Sequence, residues 1–166
     1  MKTNFQRLAI RRRFWAIGFA ALALVAIPFA NAKKDPYIFR FGLMAVNGQG
    51  KPAVYLETTE IEKHADPSYS HGFTIERRNG SQFFYYFRVR FPEPLTNLPA
   101  EAYERYKVSE GGRILESYEE LVWSAEENFV FDEADPIGLY EMEIFIDGEL
   151  YRKVNYNVEP VPEFGF

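Results

Sequence analysis

The sequence predicts an all-β domain, a sandwich or barrel of about seven to nine short antiparallel strands, behind a cleaved N-terminal signal helix. Three observations predict it. From Asp35 onward the apolar residues alternate instead of recurring every three or four positions, which is the period of half-buried strands. Turn and breaker residues interrupt these runs at about every 8–15 residues. Residues 1–32 differ in composition from the rest, with five basic residues and no acidic one. A chain of 166 residues suits one domain.

The first segment reads as an address. Lys2, Arg7, Arg11, Arg12 and Arg13 precede an apolar run from Phe14 to Ala30, and the run ends in Ala30-Asn31-Ala32. Basic region, apolar region and A-x-A site stand in the order of a signal peptide, so 1–32 is expected to be removed after Ala32. Retention as a membrane anchor is the alternative, because the apolar run is near the lower length for a span. Arg11-Arg12-Arg13-Phe14, two arginines, any residue, then phenylalanine, partly fits a twin-arginine signal, which leaves two export routes open. Either route places the protein in the periplasm or outside the cell, with no stable membrane span after cleavage. Removal of 1–32 leaves 14 basic and 24 acidic residues, a net charge of -10. Such a surface argues against nucleic acid as a partner.

The expected strands follow in order. The first is 37–46, ended by Asn47-Gly48-Gln49-Gly50. Then come 53–61, closed by Asp66-Pro67, and 72–78, closed by Asn79-Gly80. The aromatic run 82–91 stops at Pro92-Glu93-Pro94, and 100–106 has helical potential for a turn or two. Further strands are 105–108, 113–122, 128–131, 138–147 and 150–158, separated by Gly111-Gly112, Asp135-Pro136 and Asp147-Gly148. Residues 33–158 form the domain, and 159–166, with two prolines and no alternation, read as a C-terminal tail.

Two turns predict register. Asn79-Gly80 suits a two-residue hairpin that sets Ile75 opposite Phe84 and Phe73 opposite Tyr86. At Asp147-Gly148 a plain two-residue hairpin would oppose Met142 to Lys153. A three-residue loop or a bulge, with Gly148 at positive φ, instead pairs Met142 with Val154, Tyr140 with Tyr156, Glu143 with Lys153 and Ile146 with Leu150.

The stretch from Trp123 to Val158, with Phe129-Val130-Phe131-Asp132, Asp135-Pro136-Ile137-Gly138-Leu139-Tyr140 and Tyr156-Asn157-Val158, resembles the closing half of an immunoglobulin-like sandwich. There, an acidic-Pro-x-Gly-x-Tyr segment forms the corner entering the penultimate strand, and Tyr140 is placed to bond back to nearby backbone. Phe41-Gly42-Leu43-Met44, Thr58-Thr59-Glu60-Ile61, Gly72-Phe73 and Phe91-Pro92 resemble an uncharacterised family of exported bacterial domains, classed as a domain of unknown function. The resemblance implies an immunoglobulin-like fold and supplies no catalytic residues. With no cysteine, the sheets are expected to be held by an aromatic core; 24 of the 134 residues after Ala32 are aromatic.

Motifs for chemistry are few. His64 and His71 lie near Glu62 and Asp66 without a metal-ligand spacing, and Asp132, Glu133 and Asp135 lack the glycine and distant glutamate of a calcium loop. No nucleophile elbow and no nominated carboxylate pair appear, so no enzyme, metal or cofactor is expected. The aromatic run Phe83-Phe84-Tyr85-Tyr86-Phe87 is the main candidate. Phe83, Tyr85, Phe87, Val89 and Phe91 can fill the core, while Phe84 and Tyr86, joined by Phe73 and Ile75 and flanked by Arg88 and Arg90, form a binding patch unless a loop or the tail, with Phe164 and Phe166, covers them. The expected function is an exported, non-catalytic binding or structural domain engaging an unknown protein or cell-envelope component. A carbohydrate-binding module using exposed aromatics is the alternative.

Overall fold

The computed structural model describes residues 34–162 except 65, 67 and 97. The expected signal peptide, its expected cleavage after Ala32, and Phe164 and Phe166 of the expected tail lie outside the described residues. Among those described, no helix is long and apolar enough to cross a membrane.

The strands are β1 (Tyr37–Val46), β2 (Pro52–Glu57), β3 (Glu60–Lys63), β4 (Ser70–Arg77), β5 (Phe83–Arg90), β6 (Tyr106–Ser109), β7 (Ile114–Ser117), β8 (Glu120–Val122), β9 (Ser124–Phe129), β10 (Gly138–Ile146) and β11 (Glu149–Pro160). A short helix, α1 (Ala100–Arg105), precedes β6. The smaller sheet has the order β2-β1-β4-β9; the larger has β3-β11-β10-β5-β7-β6, with β8 also pairing β5. The alternating residues of both sheets meet in one core, where Phe73, Met142, Ile144 and Val158 are fully buried. This is a two-sheet sandwich of the immunoglobulin-like kind: β1, β4 and β9 lie in one sheet, β5, β10 and β11 in the other, and the chain crosses between sheets after β4 and after β9. Tyr140 makes the expected corner, its hydroxyl donating to the Pro136 carbonyl at 2.6 Å.

The strand count rises to eleven because two expected runs break. Residues 53–61 divide at Thr58-Thr59, where the Thr58 hydroxyl accepts from the Glu60 N–H at 3.1 Å and the chain leaves the smaller sheet for the larger. There β3 pairs with β11 in parallel, the exception to the antiparallel expectation. Residues 113–122 divide into β7 and β8. The expected strand 128–131 is in fact β9, which begins at Ser124. Its inward positions are Ala125, Glu127 and Phe129, and a half-buried glutamate hides the alternation; the Tyr85 hydroxyl donates to that glutamate. The last strand runs to Pro160, two residues into the segment read as a tail, because Glu159 and Pro160 continue the ladder opposite Glu62 and Lys63.

The Asn79-Gly80 hairpin is corrected. β4 pairs with β1 and β9, never with β5, so Ile75 does not face Phe84 and Phe73 does not face Tyr86. The turn exists, with the Gly80 N–H donating to the Arg77 carbonyl at 2.8 Å and Gly80 at φ 69°, but it carries the chain from one sheet to the other. The local turn signal is overridden by the eight-residue ladder of β4 with β1, which lets Phe73 and Phe87 meet across the core with ring centres 5.8 Å apart.

The second turn combines two expectations. Asp147 and Gly148, at φ 50° and 83°, make a two-residue turn in which Ile146 faces Glu149 rather than Leu150. A bulge at Tyr151 then restores the register, giving Met142 with Val154, Tyr140 with Tyr156 and Glu143 with Lys153.

Candidate functional site

Because β5 alternates, Phe83, Tyr85, Phe87 and Val89 enter the core while Phe84, Tyr86, Arg88 and Arg90 lie on the outer face of the larger sheet. Phe73 and Ile75 do not join them. Both are buried between the sheets, and the correction follows from the sheet crossing after β4.

Register assembles the rest of the face. Leu121 lies opposite Phe84, Phe145 opposite Tyr86, and Leu150 opposite Phe145. Phe84, Leu121 and Leu150 are 47%, 50% and 54% exposed, so no described loop covers this end of the face. Tyr86 and Phe145 stack with parallel rings 4.5 Å apart, and the Arg88 guanidinium lies 5.3 Å from the Phe145 ring.

The arginines are engaged within the face. Arg88 donates from Nε and Nη2 to Glu116 at 3.0 and 2.7 Å and from Nη1 to Glu143 at 3.4 Å, and Lys107 donates to the other Glu116 oxygen at 2.9 Å. Arg90 forks onto Glu110 at 2.6 and 3.0 Å, and Lys153 pairs with Glu141. Burial would raise the Glu116 carboxyl, but Lys107 and Arg88 together hold it below the ordinary range. The result is an apolar strip beside a ladder of mutually neutralised charges. Leu121, Phe145 and Leu150 were absent from the sequence expectation, although the Asp147-Gly148 register already put Phe145 on the side of Glu143.

The other sequence candidates separate. His71 is 2% exposed, stacked on Phe131 at 4.5 Å and ringed by Phe41, Phe129 and Tyr156. Burial holds its pKa down to about 4, and its Nδ1 has no partner among the described residues. His64 is instead part of the surface, 3.1 Å from Glu62 and stacked on Tyr69. Among the described residues no three His, Asp or Glu side chains gather as a metal would require. At the corner, Asp132 accepts from the N–H groups of Ala134 and Asp135 at 2.7 and 3.1 Å. The Lys63 ammonium donates to the Glu133 and Asp135 carbonyls at 2.9 and 2.6 Å, so a cation of the protein's own already serves this loop.

Strand order and tyrosine corner define the class of fold as an immunoglobulin-like β-sandwich. Among solved structures, an immunoglobulin-like protein from Pseudomonas aeruginosa is similar to this chain at 13% identity and a TM-score of 0.41, covering 74% of this chain and 92% of that one. No family model and no curated protein matches the chain.

Proposed function

We propose that the protein is an exported, non-catalytic domain that binds a protein or cell-envelope partner through the outer face of its larger sheet. One observation carries the reading: Phe84, Leu121 and Leu150 stand half exposed around the Tyr86–Phe145 stack. A cluster of large apolar groups facing water marks a contact surface. Three of the sheet edges are less suited to pairing with another strand. The edge strand β9 carries Glu126, β3 carries Glu60, Glu62 and Lys63, and β2 starts at Pro52 and bulges at Tyr55. Tyr86 and Phe145 each turn one ring face to the other, which leaves less aromatic surface for a sugar to stack on.

Export is supported by the basic, apolar and A-x-A order of residues 1–32. Two measurements test the proposal. N-terminal sequencing of the full chain expressed in a Gram-negative host should find Lys33 first, in the periplasm or medium; an intact N-terminus in the cytosol would overturn the export reading. The double variant Phe84→Ser/Tyr86→Ser should keep its circular dichroism and lose association. Collapse of the fold would show the face to be structural.

A further inference from the structure

We infer that the occupant of this face is a second copy of the same chain, an inference that rests on the face being a contact surface. The domain after Ala32 carries -10, yet the ladder on this face consists of four cations, Arg88, Arg90, Lys107 and Lys153, and the four glutamates they engage. The ladder is therefore electrically balanced on a molecule that elsewhere repels its own kind. A basic partner would be drawn to the acidic remainder of the surface, and an acidic partner would find no unpaired cation in the ladder. A second copy meets its least repulsion here.

The area of the face is near what a dimer needs. At about 3.3 Å per residue and about 4.8 Å between strands, the seven strands of the larger sheet together span roughly 700 Å². A stable interface takes about 800 Å² from each partner. Two such faces related by a two-fold axis would bring apolar strip against apolar strip, burying Phe84, Leu121 and Leu150 from both sides.

Salt distinguishes this partner from others. Raising ionic strength from about 0.01 M to 0.15 M shortens the screening length from about 30 Å to about 8 Å, which weakens the repulsion between two like-charged bodies and leaves apolar contact in place. Sedimentation velocity on the protein as the host processes it should therefore show a dimer whose dissociation constant falls several-fold over that range. Leu150→Glu, placed at the exposed edge of the strip, should be monomeric with unchanged circular dichroism. Monomer at about 100 µM at both salt concentrations, a dimer that loosens with salt, or a dimer that survives both Leu150→Glu and Leu121→Glu would overturn the inference. If the chain is monomeric but Phe84→Ser/Tyr86→Ser still abolishes binding to a different envelope component, the contact face stands and the second copy falls.

Discussion

His71 enters the core uncharged, and that has a definite pH signature. Its ordinary value is 6.5, and burial among four aromatic rings lowers it to about 4. Between these values the unfolded chain binds a proton that the folded one refuses, so stability is present in full above about 6.5 and is lost as pH falls toward 4. The difference amounts to about 3 kcal/mol. Urea unfolding of the parent and of His71→Phe should show their stability difference shifting by that amount between pH 7 and pH 4; a constant difference would refute it. Tyr140→Phe removes the 2.6 Å bond to the Pro136 carbonyl and should cost about 1–2 kcal/mol, read from the urea midpoint. These two residues differ in legibility. Tyr140 was readable because proline and glycine fix the corner around it, whereas Ser70-His71-Gly72 has the composition of a solvated loop. What buries His71 is the wrapping of Phe129, at the end of β9, and Phe131, just beyond it, and no local pattern encodes that.

Gly72 makes that wrapping possible at the level of the elements. It sits at φ 157°, and a Cβ there would lie 1.9 Å from the Glu127 carbonyl oxygen of β9. The close approach of β4 and β9 therefore requires glycine. Gly80, at φ 69°, turns the chain between sheets with open space around it. Gly72→Ala should lose at least about 3 kcal/mol or fail to fold, while Gly80→Ala should cost only about 1–2 kcal/mol for the left-handed backbone. Equal effects in thermal melts would contradict the assignment of one glycine to packing and the other to turning. The same two elements show what a sequence can and cannot say about pairing. Tyr37–Val46 and Ala100–Arg105 were legible almost to the residue, because alternation and turn residues bound them locally. The partner of β4 was not legible, since Asn79-Gly80 serves a hairpin and an inter-sheet crossing equally well. The candidate face was half legible for the same reason: Phe84, Tyr86, Arg88 and Arg90 follow from parity along one strand, but Leu121 and Leu150 reach it only through pairings set by the whole sheet.

At the scale of the molecule, two sheets are held face to face without a disulfide. Met142 lies two residues beyond the corner tyrosine, the place that a cystine occupies in antibody domains, and it is fully buried. The smaller sheet answers with Phe73, whose ring meets Phe87 of the larger sheet edge to face at 79°. Rings also cross the seam between Tyr37 and Phe83, and between Phe41 and Tyr156, at 5.6 and 5.0 Å. An aromatic seam differs from a cystine in a measurable way. A cystine would act chiefly by restricting the unfolded chain, whereas ring contacts exist only in the folded state and fail together. Phe73 and Phe87 should therefore be energetically coupled. In a double-mutant cycle of Phe73→Leu and Phe87→Leu, the coupling should be about 0.5–1.5 kcal/mol, as for other edge-to-face pairs. Near- and far-ultraviolet circular dichroism should follow one urea transition in the parent, because neither sheet can keep its inner face once the other has left. Coupling indistinguishable from zero, or two separated transitions, would mean that each sheet is stabilised on its own and that the seam is only where they touch.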